Sequence, residues 1–169
     1  MAILLLKLMY FMLPAYIANM MPVLGKNVLG RLAIPVHKKL FGTHKTWRGL
    51  LLGTLAGIGV AFLQAKLNIM QLNLVDYHAS WLLLGFLLGF GAMLGDLLKS
   101  FFKRRMKIAP GAPWIPFDQI DFVLGALALS AFVYWPGWLN TGIILLVSFV
   151  GHMATNYLGY ALNIKKNKW

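Results

Sequence analysis

Apolar runs alternate along the chain with short basic segments. A helix that crosses a bilayer needs about 20 mostly apolar residues. Five stretches meet that length: 2–24, 48–64, 78–98, 119–135 and 139–164. No internal repeat and no low-complexity tract interrupts them. The pattern predicts an all-α fold, a polytopic membrane bundle of five transmembrane helices in one domain over 1–169. Two basic loops, about 25–47 and 99–118, join the spans. The first run does not read as a cleaved secretory signal. Lys7 lies inside the apolar run rather than ahead of it, and only Ala15 and Ala18 are available for a small-residue cleavage site.

Charge orients the bundle. Lys26, Arg31, Lys38, Lys39, Lys45 and Arg48 lie between spans one and two. Lys99, Lys103, Arg104, Arg105 and Lys107 lie between spans three and four, and Lys165, Lys166 and Lys168 are in the tail. Basic loops stay on the cytoplasmic side, so the N-terminus is expected outside and the C-terminus in the cytoplasm of a multi-pass cell-membrane protein. Trp47, Trp81, Trp114, Trp135, Trp138 and Trp169 fall near span ends, as interfacial tryptophans do.

Composition closes off other classes. Hydrophobic residues make up 60% and charged residues 12%, the latter about half the usual share. A soluble globular domain is excluded. The net charge of +12 does not indicate a nucleic-acid partner, because a disordered basic binder would be poor in Leu, Phe and Trp. With no Cys, disulfides, thiolate catalysis and Cys-based metal sites are excluded. Gly49, Gly53 and Gly57, and then Gly85 and Gly89, repeat every four residues, which lets helix backbones approach closely.

The four Asp and the absence of Glu narrow the search for chemistry. On a helix continuing span three, Asp96, Ser100, Lys103 and Lys107 share one stripe with Gly85, Gly89 and Ala92. The face that packs thus leads to an acid, a hydroxyl and two bases. A self-neutralising Asp–Lys pair at the interface is the plainer account of Asp96. Next come Pro110, Gly111, Pro113 and Pro116, a rigid turn re-entering the bundle. Asp118 stands where an N-cap belongs. Capping does not account for Asp121, three residues on in an apolar run. Two carboxylates at i and i+3 with a third across the bundle suit a hard cation such as Mg²⁺ that also holds phosphate oxygens. The surplus of Lys and Arg calls for a highly anionic guest.

Lys45-Thr46-Trp47-Arg48-Gly49 opens span two without the Gly-rich approach or preceding strand of a P-loop. Lys45 and Arg48 can contact lipid headgroups or phosphates in the same site. Asn19 is a lone amide in span one. Ser148, His152, Thr155 and Asn156 cluster on one face of span five. Interhelical hydrogen bonding is the plainer account of Asn19 and of this face, with His152 as a general base the alternative.

The blocks Lys99-Ser100-x-x-Lys103-Arg104-Arg105 and Pro110-Gly111-x-Pro113-Trp114-x-Pro116-x-Asp118-Gln119-x-Asp121 resemble the CTP-dependent cytidylyltransferases of membrane lipids. Within that group the chain is most similar to the archaeal CDP-archaeol synthases, which have five spans and this length. Pro14, Asn19, Pro22 and the Lys45–Gly49 block carry the likeness to nearly the whole chain. Pro35-Val36-His37 departs from it, since the family pattern expects Pro-x-Asp there. The resemblance implies transfer of CMP from CTP to an isoprenoid diether glycerol phosphate, with Mg²⁺ as cofactor. It implies Asp96, Asp118 and Asp121 as metal ligands, with Lys99, Ser100 and Lys103 as their catalytic companions. Lys45, Thr46, Arg48, Arg104 and Asn19 would bind or position the phosphates. The alternative from another class is a small transporter using the aspartates as cation sites. It predicts polar groups through the full membrane depth, whereas the ionisable residues gather at one end. A lipid phosphotransferase acting on a CDP-lipid would need at least four Asp with an Arg between them, a motif the chain lacks.

Overall fold

The computed structural model describes residues 1–69, 72–109 and 112–162. All helices among them are named here: α1 Ala2–Leu24, α2 Lys38–Phe41, α3 Trp47–Leu67, α4 Tyr77–Arg105, α5 Phe117–Ser130 and α6 Trp138–Ala161, with a 3₁₀ turn at Gly30–Leu32. One isolated bridge, Pro35 to Thr46, closes the first basic loop. The fold is all-α, as expected. Pro110, Gly111 and the tail lysines lie outside the described residues.

Four helices are long and apolar enough to cross a membrane: α1, α3, α4 and most of α6. The stretch expected at 119–135 is different. Its helix, α5, has 14 residues, about 21 Å at 1.5 Å per residue, against a hydrocarbon core of about 30 Å. Residues 131–133 form turns instead, and Trp135-Pro136-Gly137 leads into α6. In the other direction α4 outruns its expected end at 98 by two turns, so Lys99–Arg105 are helical rather than loop. Lys103, Arg104 and Arg105 suit that last turn, because cations favour the negative end of a helix dipole. The helix then stops. Lys107 takes a left-handed φ of 57°, so it does not join the stripe of Asp96 and Lys103.

Caps define the other ends. Thr46 Oγ1 accepts from Gly49 N at 3.2 Å and starts α3. Asp76 Oδ1 accepts from His78 N at 2.9 Å and starts α4, which gives this fourth aspartate a structural role. His37 Nδ1 accepts from Leu40 N, so the side chain found in place of the family's Asp caps α2. Asp118 does not cap α5, contrary to expectation. The N-cap is Pro116, and the Asp118 carboxylate turns back toward Trp114.

The backbone of α4 is sandwiched. On one side Gly57 of α3 meets Gly85 and Gly89, where an added Cβ would lie 2.6 Å from Gly89 Cα. On the other side Gly91 and Gly95 meet Gly125 of α5, where a Cβ on Gly125 would lie 2.2 Å from Gly91 O. Leu8, Phe11 and Met12 of α1, Leu84 and Leu88 of α4, and Val123 and Leu127 of α5 fill the core between helices. The contacts Pro22–Gly49, Gly57–Gly89 and Gly95–Asp121 show that α1, α3, α4 and α5 run alternately up and down. The two described basic segments therefore share one end of the bundle.

Candidate functional site

At that end the last turns of α4 meet the first turn of α5. Gly95 lets them touch: a Cβ there would lie 2.2 Å from Asp121 O. Such contact brings Lys99, one turn after Gly95, within ion-pair reach of Asp118 and Asp121 at the start of α5. Lys99 is the hub. Its Nζ lies 3.2 Å from Asp96 Oδ1, 3.3 Å from Asp118 Oδ1 and 2.8 Å from Asp121 Oδ2. Lys45, from the loop before α3, lies 2.5 Å from Asp96 Oδ2. Lys103 Nζ donates to both Asp118 oxygens, at 3.1 and 3.0 Å, and to Ala112 O at 2.6 Å.

Backbone donors fix two of the acids. Trp114 N donates to Asp118 Oδ2 at 2.6 Å, and Phe122 N donates to Asp121 Oδ1 at 2.7 Å. Three carboxylates and three ammonium groups make a locally neutral cluster. Side-chain exposure is 6% at Asp121, 21% at Asp118 and 25% at Lys45, so the cluster opens beside both Asp118 and Lys45. On the Lys45 side a small open cleft has His44, Lys45, Thr46 and Asp96 at its polar end and Pro22, Leu50, Met93 and Leu97 along an apolar wall.

The expected residues separate into groups. Asp96, Lys99, Lys103, Asp118, Asp121 and Lys45 come together. Ser100 is buried and its hydroxyl donates to Asp96 O at 2.8 Å, within its own helix. Thr46 lines the cleft while capping α3. Arg48 donates to Lys26 O and anchors the first loop. Arg104 lines a separate basic cavity with Lys39, Phe101 and Arg105, because one residue along a helix turns it about 100° from Lys103. Asn19 is half-buried in α1 and makes no hydrogen bond among the described residues. Sequence reasoning missed His44 and the Gly91–Gly95–Gly125 contact. For the glycines the signal was available, since Gly91 and Gly95 are four residues apart.

The donor set suits a divalent cation in chemistry. Three hard carboxylates converge, and the buried Asp121 Oδ2 has the Lys99 ammonium, at 2.8 Å, as its partner. Among the described residues, no three acidic or histidine side chains already stand at metal-ligating spacing. The Lys99 ammonium occupies the point on which they converge.

A family model described as CarS-like: CDP-archaeol synthase matches residues 1–169. The chain belongs to the CDP-archaeol synthase family. Its relatives include the CDP-archaeol synthase of Thermococcus onnurineus, 38% identical and covering 95% of this chain and 94% of that protein. The Methanopyrus kandleri CDP-archaeol synthase is 37% identical, covering 96% and 92%. A solved structure of "an intramembrane enzyme for archaeal membrane lipids biosynthesis" superposes with a TM-score of 0.74 at 32% identity, covering 88% of this chain and 91% of that one. As a member of the CDP-archaeol synthase family the chain is an enzyme, a lipid cytidylyltransferase. Family membership disfavours the transporter reading.

Proposed function

We propose that this enzyme transfers CMP from CTP to an isoprenoid diether glycerol phosphate, releasing pyrophosphate and a CDP-lipid. The observation that carries the reading is the convergence of Asp96, Asp118 and Asp121, from two helices, on one cationic point flanked by Lys45 and Lys103. A lipid phosphate oxygen forms a bond to the α-phosphorus while the bond from that phosphorus to the α–β bridging oxygen breaks. The lipid phosphate has a second pKa near 6, so it is largely dianionic and needs no strong general base. The residues instead hold two anions together against their repulsion and align them. Lys45, Lys99 and Lys103 supply that neutralisation, and Arg48 holds the first loop that carries Lys45. Asp96, Asp118 and Asp121 would hold Mg²⁺, which would supply charge stabilisation to the phosphates.

The cleft supports placing the lipid on the Lys45 side. Its polar end suits a phosphate, and its wall of Pro22, Leu50, Met93 and Leu97 suits the first isoprenoid carbons, with the chains continuing along the bundle surface. The reading includes five passes through the cell membrane, with α5 as a short one, the N-terminus outside and the C-terminus in the cytoplasm. The basic segments gathered at the site end support that orientation.

The test supplies purified protein with labelled CTP, Mg²⁺ and unsaturated diether phosphate and follows pyrophosphate and CDP-lipid. Both products are expected. Reaction with ester-linked phosphatidate alone would reassign the lipid, and no nucleotidyl transfer to either lipid would refute the reading.

A further inference from the structure

The geometry points to Lys99 as an exchangeable stand-in for the divalent cation: it holds the three carboxylates in register without metal and is displaced when the ion binds. This rests on the proposed metal role of the aspartates and adds a function for the lysine between them. The ammonium contacts one oxygen from each of three carboxylates, at 2.8, 3.2 and 3.3 Å. Oxygens around Mg²⁺ stand at about 2.0–2.1 Å. The acids would close inward by roughly 0.7–1.3 Å each, leaving no room for a nitrogen among them.

The side chain is built for such exchange. Lysine has a compact charge on a flexible four-carbon stem, and the Lys99 side chain is still 15% exposed. It has a destination, since the cluster opens beside Lys45 and the cleft. The neutral balance of three acids and three lysines becomes +2 when the ion enters. The released ammonium then faces the phosphate oxygens of the incoming substrates. Lys45 and Lys103 keep their own carboxylate partners, which leaves Lys99 as the mobile cation.

Competition is measurable without turnover. Mn²⁺ binding to detergent-purified protein is followed by electron paramagnetic resonance in wild type, Lys99→Met, Lys99→Arg and Asp121→Asn. Lys99→Met is expected to bind Mn²⁺ at least tenfold more tightly than wild type, and Lys99→Arg no more tightly. Asp121→Asn is expected to bind more weakly. Equal affinities in wild type and Lys99→Met, with Asp121→Asn weakened, would overturn the exchange while leaving the metal site standing. Binding unaffected by Asp121→Asn would remove the metal site itself.

If Lys99→Met does not fold, wild-type protein answers the question through amine labelling read by mass spectrometry. Mn²⁺ is expected to raise the labelling rate of Lys99 several-fold relative to Lys103. An unchanged ratio would overturn the exchange.

Discussion

Substituting Gly95 with alanine tests whether backbone contact between α4 and α5 sets the site. The new Cβ would sit 2.2 Å from Asp121 O. Relieving that overlap moves the helices apart by about 1 Å, and the obstacle is main chain that cannot rotate away. The 2.8 Å gap between Lys99 and Asp121 widens accordingly, because each residue lies within a turn of the contact. A misplacement of about 1 Å costs roughly 10²-fold in rate, and overpacking costs about 1–3 kcal/mol in stability. The assay compares initial rates of CDP-lipid formation and thermal unfolding midpoints in one detergent. Gly142→Ala is the control, since a Cβ there meets nothing within 4 Å and alanine favours helix by up to about 1 kcal/mol. Gly95→Ala with a rate within twofold of wild type would refute the claim that this contact positions the acids.

Asp118→Asn and Asp121→Asn are each expected to lower product formation at least about 100-fold, as loss of transition-state charge stabilisation does; gel filtration should still show folded protein, and full activity in both would defeat the assignment. Chelation with EDTA is expected to halt CDP-lipid formation, and excess Mg²⁺ to restore it. Lys103→Met removes charge-assisted hydrogen bonds worth about 1.5–3 kcal/mol and should cost roughly 10–100-fold in kcat/KM, whereas Arg104→Ala, in its separate cavity, should cost less. Thr46→Val loses the cap on α3 and should lower stability by about 1 kcal/mol, read as a lower melting midpoint that Thr46→Ser recovers.

The sequence by itself determined the helical class, the basic end of the bundle and the candidate acids. Those features follow from local rules: apolar run length, the side on which Lys and Arg accumulate, and the scarcity of carboxylates, which made each one legible. Only the tertiary structure decided how the charges pair. Lys99 and Lys103 lie four residues apart on one helix, yet one bridges three acids and the other grips Asp118 and Ala112 O. That division depends on where α5 sits against α4, which the fit of Gly91, Gly95 and Gly125 sets. The fate of Asp118 was likewise decided from another helix, since its carboxylate is gripped by Lys103 of α4 as well as by Trp114 N in the turn just before α5. Arg104 and Lys103 are adjacent in sequence, but a helix points neighbours about 100° apart, and packing decides which direction holds the acids. Periodicity places residues on faces; the partner across each face is fixed by backbone approach between helices distant in the chain.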